Sequence, residues 1–258
     1  MKLRRSGLSI SATTMGVAAL LLAGCSSPAK EAVTVGDQEA VASPTATAEP
    51  AASGSRGVLT QDQADAALPA VEAITAEGWE VGSIDDAGAA DDDAASTYNP
   101  AECDLSASTD FGDVALVPEG EEAVAASKAE FKKSGDEMFD LHGATVELKS
   151  YESEVDSDKL EAFAEKLKDC ANFTITDDQG ITSAVQILPV SLPNYADSTL
   201  AFKLQASVSF LIVIADIAVV ASGHNVVTIA QVGLGGIDPQ VVSELASATM
   251  ANLETATQ

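Results

Sequence analysis

One stretch limits the possible folds more than any other: VSFLIVIADIAVV, Val208 to Val220. It is too short to cross a bilayer as a helix, and Asp216 stands inside it. Its valines and isoleucines favour a strand. Apolar residues fall on both pleat faces. That predicts a central strand covered on both sides, or a strand with one face lining an apolar cleft. On a cleft face, Asp216 would be a candidate to orient a bound ligand. The alternative is a strand-end or hydrogen-bonded core aspartate.

The surrounding sequence reads as mixed α and β. Thr60-Gln61-Asp62-Gln63 has the Thr-x-x-Gln spacing of a capping box and opens a helix that Pro69 breaks or kinks. Asn99-Pro100 reads as an N-cap with proline at N1, starting a helix that carries Cys103. Ala144 to Ser153 alternates as a strand. Asp156 to Cys170 is helical, with Leu160, Phe163, Ala164 and Leu167 on one stripe. NFTIT, the turn Asp177 to Gly180, and ITSAVQILPV form a hairpin. FKLQASVSFLIVIADIAVVA runs into the turn Ser222 to Asn225, and VVTIAQV returns as a second hairpin. Asp238-Pro239 opens a last helix to about Glu254, with Val241, Val242 and Leu245 facing inward.

The N-terminus reads as an address. Lys2, Arg4 and Arg5 precede a short apolar stretch that ends in Leu22-Ala23-Gly24-Cys25. Basic start, apolar middle and small-residue end describe a secretory signal. The LAGC ending resembles the bacterial lipobox, which implies cleavage after residue 24 and a lipid on the Cys25 thiol. An ordinary signal with a chance cysteine is the alternative. Two acyl chains would be needed for stable anchoring. Residues 25–56 are rich in Ala, Ser, Thr, Pro and Glu and lack aromatics, so they cannot offset their ordering entropy. They read as a lipidated, disordered tether. Residues 57–258 read as one domain.

The chain has 13 Lys+Arg against 40 Asp+Glu, a net charge of -27. Loss of the basic signal segment would make it more negative still. Such a field repels phosphates and anionic headgroups, which argues against nucleic acid and leaves membrane attachment to the lipid. Asp85 to Asp93 reads as an exposed acidic loop without calcium-loop spacing. With Cys25 assigned to the anchor, Cys103 and Cys170 are an even pair in an exported chain. A disulfide is expected, worth about 4 kcal/mol by loop entropy; free buried thiols are the alternative.

Signs of catalysis are few. His142 and His224 are the two histidines, and neither lies in His-Glu-x-x-His. No nucleophile elbow, phosphate loop or dinucleotide fingerprint occurs. Gly233 to Gly236 reads as a tight turn, with an anion-binding loop as the alternative. The expectation is no enzyme, no metal and no cofactor.

TYNPAEC (Thr97 to Cys103), VELKSYESEVDSDKLEAFAEKLKDC (Val146 to Cys170) and GHNVVTIAQV (Gly223 to Val232), followed by a terminal helix, resemble the extracellular sensor domain of actinobacterial PknH-type kinases. The resemblance spans roughly residues 57–258. It implies an α/β (α+β) fold: a mainly antiparallel sheet with helices packed against it, a cleft for a small ligand, and a disulfide between Cys103 and Cys170. The chain departs from the pattern in having no further cysteines for a second disulfide, and in having Leu167 where tryptophan is usual. The expected protein is therefore a membrane-anchored, extracytoplasmic lipoprotein that binds a small or amphipathic ligand. An envelope protein-protein interaction module and a lipid carrier are the alternatives.

Overall fold

The computed structural model describes residues 57–83, 96–104, 116–117, 120–134, 141–177, 180–208 and 211–257. The signal segment, the linker with Cys25, and Asp85–Asp93 lie outside the described residues.

The elements in chain order are α1 (Gln61–Ala67), β1 (Trp79–Val81), β2 (Thr97–Asn99), β3 (Ala125–Ser134), β4 (Leu141–Ser150), α2 (Asp158–Asp169), β5 (Asn172–Thr176), β6 (Thr182–Pro189), β7 (Ser198–Val208), β8 (Leu211–Ser222), β9 (Asn225–Leu234) and α3 (Val241–Ala256). The strands form one antiparallel sheet in the order β1-β3-β4-β9-β8-β7-β6-β5-β2. β8 lies at the centre of this order, where the apolar run required a strand with neighbours on both sides. Ala218, Val219 and Val220 are fully buried.

The helices are staggered across the sheet. α1 and α3 cover one face over β3, β4, β9 and the end of β8, burying Ala64, Ala67, Val241, Leu245 and Leu253 against Val146, Leu148, Val220, Val227 and Ile229. α2 covers the opposite face over β5 to β7, burying Leu160 and Leu167 with Phe173, Val185, Ile187, Phe202 and Val219. Each of the valine, leucine, isoleucine and phenylalanine side chains among these contributes about 1.5–3 kcal/mol on burial. This offset leaves each wing of the sheet with one face uncovered by helix.

Local chemistry accounts for the helix ends. Thr60 and Gln63 form the reciprocal capping box of α1. The helix ends at Ala67 because Leu68, before Pro69, is extended with ψ 143°.

The structure corrects several expectations. Asn99 does not cap a helix. It pairs with Thr174 as the last residue of β2, and Pro100 leads into a single 3-10 turn, Ala101–Cys103. Strand pairing takes the residue that the capping rule would have used. The run from Val208 to Val220 is not one strand. Val208 ends β7 and Leu211 begins β8, the two being paired across residues 209–210, which lie outside the described residues. β8 is covered on both faces only over its second half, and Ile212 is exposed. The strand predicted over Ala144–Ser153 starts earlier, at Leu141, and ends at Ser150. α3 begins at Val241, not at Pro239, because the Asp238 carboxylate accepts from Gln240 N in a turn before the helix. Val241, Val242 and Leu245 are buried as expected.

Candidate functional site

β7 carries Lys203 and β8 carries Asp216 directly opposite it, with Gln231 of β9 opposite Asp216 in turn. These three side chains form a polar row on the face that α3 covers. Asp216 is 5% exposed, and Lys203 is half-buried. The Lys203 Nζ lies 3.4 Å from Asp216 Oδ1, an ion pair without the alignment of a hydrogen bond. Burial raises the Asp216 pKa above its ordinary value, and the Lys203 ammonium only partly offsets this. The Gln231 carboxamide, oriented with its nitrogen toward Asp238 O at 2.7 Å and its oxygen toward Asp238 N at 3.2 Å, ties the sheet to the turn before α3. Asp216 is therefore a buried, ion-paired aspartate in a central strand.

Outward from this row the helical cover ends. On the same face, Asn172, Gln186 and Gln205 lie side by side across β5, β6 and β7. In the next row, Asn99, Thr174, Ala184 and Ser207 lie across β2, β5, β6 and β7. Together they line an open trough of about 500 Å³. Leu188 and Ile212 border it and are 38% and 42% exposed. Gln186 Nε2 reaches Asn172 Oδ1 only at 3.5 Å. The side chains of Asn99, Thr174, Gln205 and Ser207 make no hydrogen bond among the described residues.

The trough is held from behind. Cys103 and Cys170 form a disulfide with a Cα–Cα distance of 5.5 Å, both sulfurs being buried. It joins the turn after β2 to the end of α2. Tyr98 stacks on Phe173 at 6.3 Å, and Phe163 meets Phe202 edge-on at 6.5 Å. Edge strand β2 is thus fastened to the helix that backs β5 to β7.

The remaining candidates have structural roles. The loop expected at Gly233 starts later: Gly233 and Leu234 end β9, and the turn begins at Gly235, which has φ +77° and whose N–H donates to Ile212 O at 2.8 Å. Its backbone donor is occupied, as a turn requires. His224 Nδ1 is 3.2 Å from the Tyr151 carbonyl oxygen in the β8–β9 turn. Among the described residues, no group of three or more His, Cys, Asp or Glu is arranged to hold a metal ion. No described helix is long and apolar enough to cross a membrane.

Sequence reasoning found Asp216 but not Lys203 or the trough. The available signal was the alternation of Asn, Gln, Thr and Ser with apolar residues along β5 to β7, free of acids in a very acidic chain.

A single antiparallel sheet with helices staggered on its two faces defines an α/β domain. The fold is similar to that of the extracellular domain of PknH from Mycobacterium tuberculosis, with TM-score 0.51 and 14% identity over 78% of this chain and 99% of that one. An uncharacterized protein from Mycobacterium smegmatis is also similar, with TM-score 0.42 and 12% identity over 71% of this chain and 93% of its own. No family model and no curated protein matches the sequence. The resemblance read from Thr97–Cys103, Val146–Cys170 and Gly223–Val232 is borne out at the level of the fold.

Proposed function

We propose that this chain is a lipid-anchored, extracytoplasmic binding domain of sensor type. In this reading Cys25 carries the lipid after loss of residues 1–24, residues 25–56 are the tether, and residues 57–258 hold a small ligand without transforming it. The observation that carries the reading is the open trough on β2, β5, β6 and β7, where side-chain amides and hydroxyls stand unpaired beside exposed Leu188 and Ile212. Concave shape, a few convergent polar groups and adjacent apolar surface are the features of small-ligand sites. The likeness to an extracellular domain supports the location.

The geometry favours the sheet face over an apolar interior. The two apolar clusters bury Val146, Leu148, Val219, Val227 and Leu245 completely, which supports a ligand on the sheet face over one in the interior. Leu188 and Ile212 also favour a second reading, an envelope protein seated on the same face.

Native mass spectrometry of the full chain, before and after solvent extraction, tests the proposal. An adduct of discrete small mass that extraction removes is expected. A chain that carries no adduct, and captures none from an envelope extract, would overturn the small-ligand reading. Fatty-acid labelling that persists in a Cys25→Ala variant would overturn the anchor.

A further inference from the structure

We infer that the trough on β2, β5, β6 and β7 takes a neutral polyhydroxylated glycan, held by the carboxamides of Asn99, Asn172, Gln186 and Gln205 and the hydroxyls of Thr174 and Ser207. This inference rests on the reading of that face as a binding surface.

Among the described residues, the lining of the trough has no charged side chain. That is unexpected in a chain of net charge -27, and it is not a general property of this sheet where helices leave it open. The uncovered face of the other wing carries charges at alternate positions of β1, β3 and β4. Lys128 pairs with Glu130 at 2.6 Å, Lys149 with Glu147 at 3.3 Å, and Lys132 with Glu80 at 3.6 Å. Solubility alone is thus met with ion pairs on one open face, while the other presents amides and hydroxyls.

The choice of groups points to the ligand class. A carboxamide offers two donors and an acceptor with two lone pairs, and a hydroxyl offers one donor and two lone pairs. Vicinal sugar hydroxyls need both roles within a short span. A carboxylate, phosphate or ammonium ligand needs a countercharge, and the described residues of the trough supply none. Among the described residues on this face, the cation Lys203 is one row inward and already paired with Asp216. The net negative field of the chain further disfavours polyanions. Leu188 at the border gives apolar surface for the C–H face of a sugar ring. The volume of about 500 Å³ falls within the range of small-ligand sites.

The test uses the full chain in lipid nanodiscs and immobilised linear hexasaccharides of glucose, mannose, galactose and N-acetylglucosamine, with hexagalacturonate as the charged control. At least one neutral hexasaccharide is expected to bind, with hexagalacturonate at least tenfold weaker. Gln186→Glu and, separately, Asn172→Ala/Gln205→Ala should each weaken binding at least tenfold with unchanged thermal midpoints. The alanine pair keeps the test valid if the added charge unfolds the edge of the sheet. No response from any neutral sugar, equal binding of hexagalacturonate, or binding untouched in a folded alanine pair would overturn the inference. An extractable non-carbohydrate adduct alongside a negative sugar panel would overturn the glycan and leave the binding reading standing. Neither an adduct nor a sugar response would overturn both.

Discussion

The Gln61 side chain completes the edge of β3 at Ala126. Gln61 Nε2 donates to Ala126 O at 2.8 Å, and Ala126 N donates to Gln61 Oε1 at 3.3 Å. One carboxamide therefore makes both bonds that a neighbouring strand residue would make. β1 pairs only with Phe131 to Lys133, so this part of β3 would otherwise be an open edge. The two Gln61 Nε2 hydrogens are shared among Ala126 O, Asp65 and Ser127, and Ser127 donates to Asp65; these bonds, the Ser127 one first, lower the Asp65 pKa.

Gln61→Ala is expected to cost about 1–2 kcal/mol, since it unpairs backbone groups that water can partly satisfy. It should also promote association through the exposed edge. Denaturant midpoints and light scattering at rising concentration check this. A variant as stable and as monodisperse as the parent would count against the edge role.

Asp216 should make the fold more stable as pH falls. Its folded pKa is raised mainly by burial. The native state therefore binds its proton more tightly than the unfolded chain does, and stability declines as pH rises from the unfolded value through the folded one. Asp216→Asn removes that contribution to the slope and is expected to raise the thermal midpoint at pH 7.5. Lys203 is half-exposed, so its charge is not stranded. A lower midpoint at pH 7.5 with an unchanged pH slope would refute this account.

Reduction of Cys103–Cys170, or a Cys103→Ser/Cys170→Ser double variant, is expected to cost about 2–5 kcal/mol. The loss should fall first on β2 and β5. Hydrogen exchange read strand by strand would reveal it. Uniform loosening of the whole sheet would mean that the bridge does not specifically hold the trough.

Gly233→Ala should cost about 1–3 kcal/mol by overpacking. An added Cβ would press on the Gly236 carbonyl oxygen and lie 2.6 Å from His142 Nδ1. The glycine is needed for close approach, not for an anion. Unchanged denaturant midpoints would contradict this packing.

The contrast between α1 and β2 shows what the sequence makes legible. Thr60, Gln63 and Pro69 act within a few residues of one another, so their spacing gives the helix and its ends. Asn99-Pro100 carries an equally local helix signal, but pairing with Thr174, some seventy-five residues away, overrides it. The reversal between Val208 and Leu211 is hidden because no Gly, Pro, Asn or Asp marks it and apolar residues continue on both sides. Asp216 was visible as a polar residue in an apolar run. Its partner Lys203 was not, because cross-strand register depends on that unmarked turn. The trough was equally hidden. Its residues come from four strands, and the face they share is set by where the helices stop.

The most direct test of the central claim is hydrogen exchange of the full chain with its co-purified ligand and after solvent extraction. The account predicts protection by the ligand confined to Thr97–Asn99, Asn172–Thr176, residues 184–189 and residues 202–207, with β3 and β4 unchanged. Protection centred on β3 and β4, or no difference between the two samples, would contradict it.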